Sequence, residues 1–433
     1  MSDLTPHKVN QSLRFSVLDG IFASGMVGLT QDYFTPFLLL LGATVRQVGI
    51  LGALPNLVSA LLQVKSADLT AHFESRKKIF SLFVFLQALM LLPMIFVSSL
   101  GSCKPMFFIL MVTLFTSFGA FALPPWGSLM SDLVHEHKRG EYFGWRNKVL
   151  GILLVAFSFL AGVILHFMKP HDIFSGFSII FTLAFLCRLA SLHFLAKMHE
   201  PYLSHKKENS FTLLMFLRRV KESNFAKFVF FVAFFNFSVN LAAPFFAVFM
   251  LKDMHFSYLT YTVITATATL MVYLMMGRWG RHADRVGNVK VIRLTAPIII
   301  TLPLLWIISQ NPVFLLFAQI VSGFAWAGFN LCASNFIYDS TTPEKRTRCI
   351  AYFNVINGLA ICFGALIGGF LVDWLPPFLG YKILTLFWLT SLCRLLVVVF
   401  IAPKIKEVRP VRAVSNIELL SSMVGIHPIL KTN

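Results

Sequence analysis

Apolar positions along this chain fall in long unbroken runs, not in the alternation of a half-buried strand or the single stripe of a surface helix. Each run approaches the roughly 20 residues that a helix needs to cross a bilayer, and polar or Pro/Gly-containing breaks separate them. Twelve spans are predicted, near 14–41, 46–64, 79–98, 105–127, 146–168, 175–197, 225–251, 257–277, 289–309, 312–335, 348–372 and 380–402. The fold class expected is therefore an all-α membrane protein. No small-residue cleavage site follows the first run, so it reads as a retained span and not as a signal peptide.

Composition agrees: 57% of the residues are hydrophobic and 13% charged, far from the usual soluble domain. The formal charge of +18 would suit a nucleic-acid partner only if a soluble basic domain carried it, and the sequence offers none. The positive-inside rule accounts for it better. With the N-terminus in the cytoplasm, only Arg46, Lys104, Lys169, Lys252 and Lys382 fall outside; Arg188 and Arg394 lie within spans, and the other Lys and Arg are cytoplasmic. Both termini are then expected inside. The six cysteines form no CxxC, and all but Cys103 sit in or beside spans, so neither a disulfide framework nor a metal site is expected.

One charged pattern occurs twice. Asp132, Arg139 and Asn147, in a stretch that reads as loop-like, recur 207 positions later as Asp339, Arg346 and Asn354. Pro105 and Pro312, and Gly151 and Gly358, keep the same offset. Pro36-Phe37 matches Pro244-Phe245 at 208, and Cys187-Arg188-Leu189 matches Cys393-Arg394-Leu395 at 206. Landmarks in order at one spacing argue for two homologous halves. Six spans per half is an even number, so the halves enter from the same side and are related by an axis along the membrane normal. The predicted organisation is a six-helix bundle over 1–198, a basic cytoplasmic linker over 199–224, a second bundle over 225–402 and a cytoplasmic tail over 403–433.

Two parallel six-span halves, a basic central loop and charged motifs after spans 2, 4, 8 and 10 together resemble the major facilitator superfamily of secondary transporters. The stretch GRHADRVGNVK, from Gly280 to Lys290, is similar to that family's loop motif. Its counterpart after span 2, KSADLTAHFESRKK, keeps Asp68 and a basic cluster but lacks both glycines. The resemblance implies alternating access, and with it a cytoplasmic gate. Carboxylates and arginines at the helix ends would form charge-assisted hydrogen bonds that hold the halves closed in one state. The residues implied are Asp68, Asp132, Arg139, Gly280, Asp284, Arg285, Asp339 and Arg346. The resemblance does not name a cargo, because one transporter fold hosts many.

Charged groups inside spans are expensive, about 2.5–3.5 kcal/mol at a helix centre, and usually face protein or a wet cavity. Arg188 and Arg394 are repeat partners, and Arg188 shares its face with Ala184 and Ser191, so both read as structural. Asp19 and Asp32 lie in span 1. Asp32 is the deeper, about 7 Å from the span centre at roughly 1.5 Å per residue. It aligns with Asn240 in the second half, so only one half has an ionisable group there. A carboxylate in such a cavity could exchange a proton, which makes Asp32 the expected coupling site.

Polar stripes mark the expected substrate path. Asn56, Ser59 and Gln63 share one face of span 2, as Thr262, Thr265 and Thr269 do in span 8. Asn354 and Asn357 follow one face of span 11, Asn236 and Asn240 lie a turn apart in span 7, and Trp326 and Asn330 add span 10. The resemblance implies that these spans surround the central path. Aromatic residues along spans 4 and 10 would suit an amphipathic or aromatic organic molecule.

No HExxH, GxSxG or His/Asp cluster points to an intramembrane enzyme, and no GxxxxGK[ST] loop points to an ATP-driven pump. No cofactor or metal is expected. The expected partners are a small-molecule substrate, a proton and the lipid bilayer, without nucleic acid, and the expected state is a monomer. The short loops fit a bacterial inner membrane. The expected function is a secondary active transporter, proton-coupled, exporting an amphipathic compound. An uptake permease for a sugar or amino acid, or a non-transporting sensor or scaffold, are the alternatives.

Overall fold

The computed structural model of the chain describes residues 5–73, 75–97, 104–135, 139–201, 223–341, 343–411 and 414–424, without the side chains of 64–73, 139–140, 343–348 and 417. Twelve helices among them are long and apolar enough to cross a membrane. They are span 1, Pro6–Leu40; span 2, Val45–Gln63; span 3, Arg76–Phe96; span 4, Lys104–Leu133; span 5, Glu141–Met168; and span 6, Ile173–Ala196. The second half contributes span 7, Asn224–Asp253; span 8, Tyr258–Val286; span 9, Asn288–Ile308; span 10, Pro312–Asp339; span 11, Cys349–Trp374; and span 12, Lys382–Lys404. An even number of spans returns both ends of the chain to one face, called here the terminal face; the opposite one is the far face.

At the terminal face the helices outlast the apolar runs. The span 2 helix continues to Phe73, span 4 to Leu133 and span 8 to Val286. A helix satisfies its own backbone in water as it does in lipid, so the edge of an apolar run is no reason to stop. Gly287, at φ +89°, ends span 8 in a conformation that a side chain would resist. The charged pattern that reads as loop-like is therefore on helix ends. Asp132 and Asp339 occupy the last turns of spans 4 and 10, and Gly280, Asp284 and Arg285 the last turns of span 8.

Spans 1 and 7 are not the continuous helices the sequence suggests. Helix Pro6–Thr30 gives way to a 3-10 turn, Gln31–Tyr33, and resumes as Phe34–Leu40. In span 7, Asn224–Asn240 is followed by a turn, then Phe245–Val248 and a π-helical turn, Phe249–Asp253. Proline has no N–H to offer the carbonyl four residues back, and its ring crowds that carbonyl. Pro36 thus releases the carbonyl of Asp32, and Pro244 that of Asn240. The breaks are repeat partners and fall toward the far face.

The apolar core differs between the two faces. Toward the far face a single cluster runs through both halves, joining Tyr33, Phe37 and Phe108 of the first to Phe245, Trp306 and Phe387 of the second. Toward the terminal face each half has its own cluster, one around Phe80 and Met130, the other around Phe228, Trp279 and Phe336. Span 2 packs on span 11 and span 5 on span 8. At the far end this packing is backbone-close: a Cβ on Gly49 would lie 2.8 Å from the Ala365 carbonyl oxygen. Arg46 and Asp373 pair across the halves at 2.5 Å on the same side. Toward the terminal face spans 5 and 8 enclose a cleft of about 620 Å³ between Gly144, Asn147 and Lys148 on one side and Tyr273 to Arg281 on the other. A Cβ at Gly127, Gly144 or Gly277 would meet nothing within 4 Å. Among the described residues the halves meet closely at the far face; toward the terminal one a cleft opens between spans 5 and 8, while spans 2 and 11 stay tied across the halves by Asn354 and Gln63.

Beyond span 12 the described residues pack back on the second half. Ile405, Val414, Leu419 and Met423 are buried in the core of the second half, the last two on a short tail helix, Asn416–Val424.

Candidate functional site

The far-side break in span 1 is the centre of a network that joins both halves. The Asp32 carbonyl released by Pro36 accepts the Tyr261 hydroxyl of span 8 at 2.7 Å. The Asp32 carboxylate accepts the Ser158 hydroxyl of span 5 at 3.2 Å. Next along the turn, the Tyr33 hydroxyl donates to the Ser158 carbonyl at 2.5 Å and stands 2.8 Å from the Thr262 hydroxyl. Tyr33, Ser158, Tyr261 and Thr262 are all buried. Gly162 lets span 8 approach, since a Cβ there would collide with the Thr262 hydroxyl oxygen. Among the described residues, no Lys, Arg or His pairs with Asp32.

The polar stripes are drawn together less than expected. Asn354 donates to Gln63 across the halves at 3.2 Å, and Gln63 in turn donates to the Ala120 carbonyl of span 4. Asn236 donates to Asn357 at 2.7 Å, linking spans 7 and 11. Asn240 bonds the Asn236 carbonyl, Asn56 the Gly52 carbonyl and Thr265 the Tyr261 carbonyl, each within its own helix. Trp326 packs against Phe235 and Phe329 inside the second half. Asn330 is exposed, and the hydroxyl of Ser59 is buried without a hydrogen-bond partner. Gln63, Asn354, Asn236 and Asn357 therefore act as helix-to-helix links in this arrangement.

A buried charged cluster in the first half escaped the sequence reading. Asp19, only 5% exposed, accepts the Ser191 hydroxyl at 2.6 Å, and Ser191 accepts from Arg188 at 3.1 Å. Arg146 of span 5 stands 3.8 Å from the Asp19 carboxylate, donates to the Ser16 carbonyl and lies over the Trp126 ring at 4.7 Å. These residues border a cavity of about 230 Å³ enclosed by spans 1, 3, 4, 5 and 6. Arg188 is thus more than a packing residue. Its repeat partner Arg394, also buried, donates to the Ile299 carbonyl; at the 208 offset of span 1 the counterpart of Asp19 is Lys227, a cation in place of the carboxylate, and the position 207 after Arg146 is Phe353. The cluster belongs to one half. Asp19 was visible as a charge inside a span; Arg146 was hidden at the predicted edge of span 5, where a basic residue reads as a topology signal.

At the terminal face the expected gate carboxylates find partners within their own half. Arg76, 2% exposed, pairs with Asp132 at 2.6 Å and with Glu200 at 3.4 Å, and reaches the Pro201 carbonyl. Glu200 also accepts the backbone N–H of Arg76, at the start of span 3. In the second half Asp339 accepts from Asn288 at 2.7 Å and from Arg409 at 2.5 Å, and Arg409 lies 3.5 Å from Asp284. Glu407 accepts the Val289 N–H at 2.8 Å, at the start of span 9. Carboxylates at helix N-termini are favoured by the exposed N–H groups and the helix dipole. Glu200 and Glu407 are themselves 207 apart, a signal present in the sequence and overlooked. Among the described residues, the ion pair that joins the halves is Arg46–Asp373 at the far face, where none was expected. The side chains of Asp68, Arg139 and Arg346 lie outside the described residues.

The arrangement can be set beside known proteins. Comparison with curated proteins returns no match. Among solved structures, the nucleoside transporter NupG superposes with a TM-score of 0.68 at 14% identity, covering 92% of this chain and 99% of that one. A bacterial homologue of the human lysosomal transporter Spinster, inward-facing and unoccupied, gives 0.65 at 14% identity over 93% and 96%. The human organic anion transporter MFSD10 gives 0.60 at 14% over 91% and 100%. At such identities these likenesses establish the fold. The sequence profile of the Major Facilitator Superfamily, however, matches residues 20–308 and 228–429, nearly the full chain in two overlapping segments. The twelve spans, the repeated breaks at Pro36 and Pro244 and this match lead to one conclusion: the chain belongs to the Major Facilitator Superfamily.

Proposed function

We propose that the chain is a monomeric, proton-coupled carrier that moves an organic small molecule across the membrane by alternating access, with Asp32 as the coupling group. The far-side seam carries this reading. Asp32 is the carboxylate in that network of hydroxyls, and its carbonyl and carboxylate are held by different spans, one from each half. Parting spans 1 and 8 breaks the Tyr261–Asp32 bond and admits water to the carboxylate; closing them returns it to a packed environment. A proton taken up or released at Asp32 would then accompany each opening and closing. The terminal-side cleft between spans 5 and 8 fits a state that is closed at the far face. Export of an amphipathic compound fits the apolar, partly charged cavity of the first half better than uptake of a sugar.

In liposomes with an imposed pH gradient, the wild-type protein is expected to concentrate its cargo. Asp32→Asn keeps the size and hydrogen bonding of the side chain but cannot titrate, so it should still bind cargo and exchange it passively. A variant that goes on concentrating cargo against its gradient would exclude Asp32 from coupling.

The distribution of basic residues supports a cytoplasmic terminal face, and the short loops fit a bacterial inner membrane. In a background carrying Cys103→Ser, a membrane-impermeant thiol reagent added to intact cells should label Lys252→Cys and spare Lys148→Cys. The reverse pattern would invert the orientation.

A further inference from the structure

We infer that the cavity inside the first half is a binding site for an organic monoanion, a carboxylate on an apolar or aromatic body, held by Arg188 and Arg146 and lying against Trp126. The cavity is lined by three charged groups, two guanidinium cations and one carboxylate, so a positive charge is left over in a buried space. Buried charges call for a compensating partner, and a monoanion supplies it. Two donors on the wall are unused: the Arg188 Nε and the Trp126 Nε1 are buried and have no hydrogen-bond partner. Arg188 is only 8% exposed. A guanidinium whose Nε is open presents the N–H edge that carboxylates accept. The rest of the lining is apolar, including Val27, Leu150 and Leu154, which suits a hydrocarbon or aromatic body and not a sugar. Leu123, another lining residue, is 58% exposed and marks where the cavity opens. At about 230 Å³ the space admits a one- or two-ring compound.

The second half lacks the arrangement. In the repeat positions Lys227 stands for Asp19, Phe353 for Arg146 and Ala333 for Trp126, so Arg394 has neither the carboxylate nor the second guanidinium nor the indole. The site therefore belongs to one half, as expected of a feature that recognises cargo and does not merely brace the fold.

This inference rests on the carrier reading but is tested by binding alone. The probe is 2-naphthoate, with 2-naphthamide and 2-naphthylmethylamine as neutral and cationic controls, titrated into the purified protein in detergent. Tryptophan quenching reports occupancy and thermal shift reports stabilisation. Expected is saturable binding of the carboxylate, with the amide and the amine at least about tenfold weaker. Arg188→Gln should weaken the carboxylate by about 10- to 100-fold, the range of a hydrogen bond to a charged group. Leu150→Trp fills the cavity without altering its charge, so it should abolish binding while leaving the melting temperature of the empty protein near wild type. It serves as the control should Arg188→Gln fail to fold. Equal affinity for acid and amide, preference for the amine, or unchanged binding in Leu150→Trp would each overturn the site. Binding as expected without transport in liposomes would leave the site standing and sink the carrier reading instead.

Discussion

Arg76→Ala is expected to destabilise the protein by about 3 kcal/mol, at the lower end of the range for removing one partner of a buried ion pair. Arg76 is buried, and its guanidinium holds together span 4 through Asp132, the start of span 3 and the chain after span 6 through Glu200 and Pro201. Asp132 is 46% exposed and can return to water once released, which keeps the loss from reaching the upper end. Glu200 is only 18% exposed and would keep its negative charge with the hydrogen bonds of Ser75 and of the Arg76 and Lys77 N–H groups, but no guanidinium beside it. Lysine is not expected to rescue the position, because one ammonium cannot serve partners in several directions as a planar guanidinium does. The corresponding cation of the second half, Arg409, is 39% exposed, so Arg409→Ala should cost about 1 kcal/mol or less. Thermal unfolding in detergent measures both. An Arg76→Ala melting temperature equal to that of wild type, or below-wild-type values reversed in order between the two variants, would refute this account of the cluster.

Gly49→Val should shift the protein away from the far-closed state. The obstacle to a side chain at Gly49 is backbone: besides the Ala365 carbonyl, the Gly369 Cα would lie 3.2 Å from the new Cβ. Neither can rotate aside, so spans 2 and 11 must part at the far face or bear the strain. Overpacking of this kind costs about 1–3 kcal/mol, which changes the ratio of the two states by roughly 5- to 150-fold. Spin labels at Thr44 and Trp374 report the far face, and labels at Lys148 and Arg281 the terminal cleft. The first distance is expected to lengthen and the second to shorten in the same sample. A folded variant with both distances unchanged would mean that this contact does not govern the equilibrium.

Twelve spans and their pairing into halves could be read from the sequence because the bilayer demands long apolar runs and duplication leaves landmarks at one offset. Proline was legible in part. Pro36 and Pro244 served as repeat markers, yet the local meaning of Pro36, a freed carbonyl at Asp32 that accepts a hydroxyl of the other half, depends on Tyr261, which lies 229 residues from Asp32. The same holds for Asp19, whose hydrogen-bond partner Ser191 is 172 residues distant. Nothing local to either residue announces the other. Charges at the terminal face were recognised in kind, but the partners that Asp132 and Asp339 have here, Arg76 and Arg409, were not, since a carboxylate at a helix end looks alike whether it will face its own half or the opposite one. The polar stripes stay open to two readings for a related reason: small amides at helical spacing serve equally to line a path or to tie two helices, and only their neighbours decide.

The two terminal-face clusters also differ in when they can form. As a chain emerges from the ribosome, earlier segments fold first. The first half has what its cluster needs as soon as Glu200 and Pro201 follow span 6, so Arg76 can be secured before any of the second half is made. The second half waits for Glu407 and Arg409, and the burial of Leu419 and Met423 comes later still. During that interval Asp284 and Asp339 stand without Arg409, and the apolar ends of spans 8 to 10 stand without the tail helix. A stretch of translation thus exists in which one bundle is finished and the other is inserted but unsealed, and it is the second bundle that would present itself to chaperones and proteases.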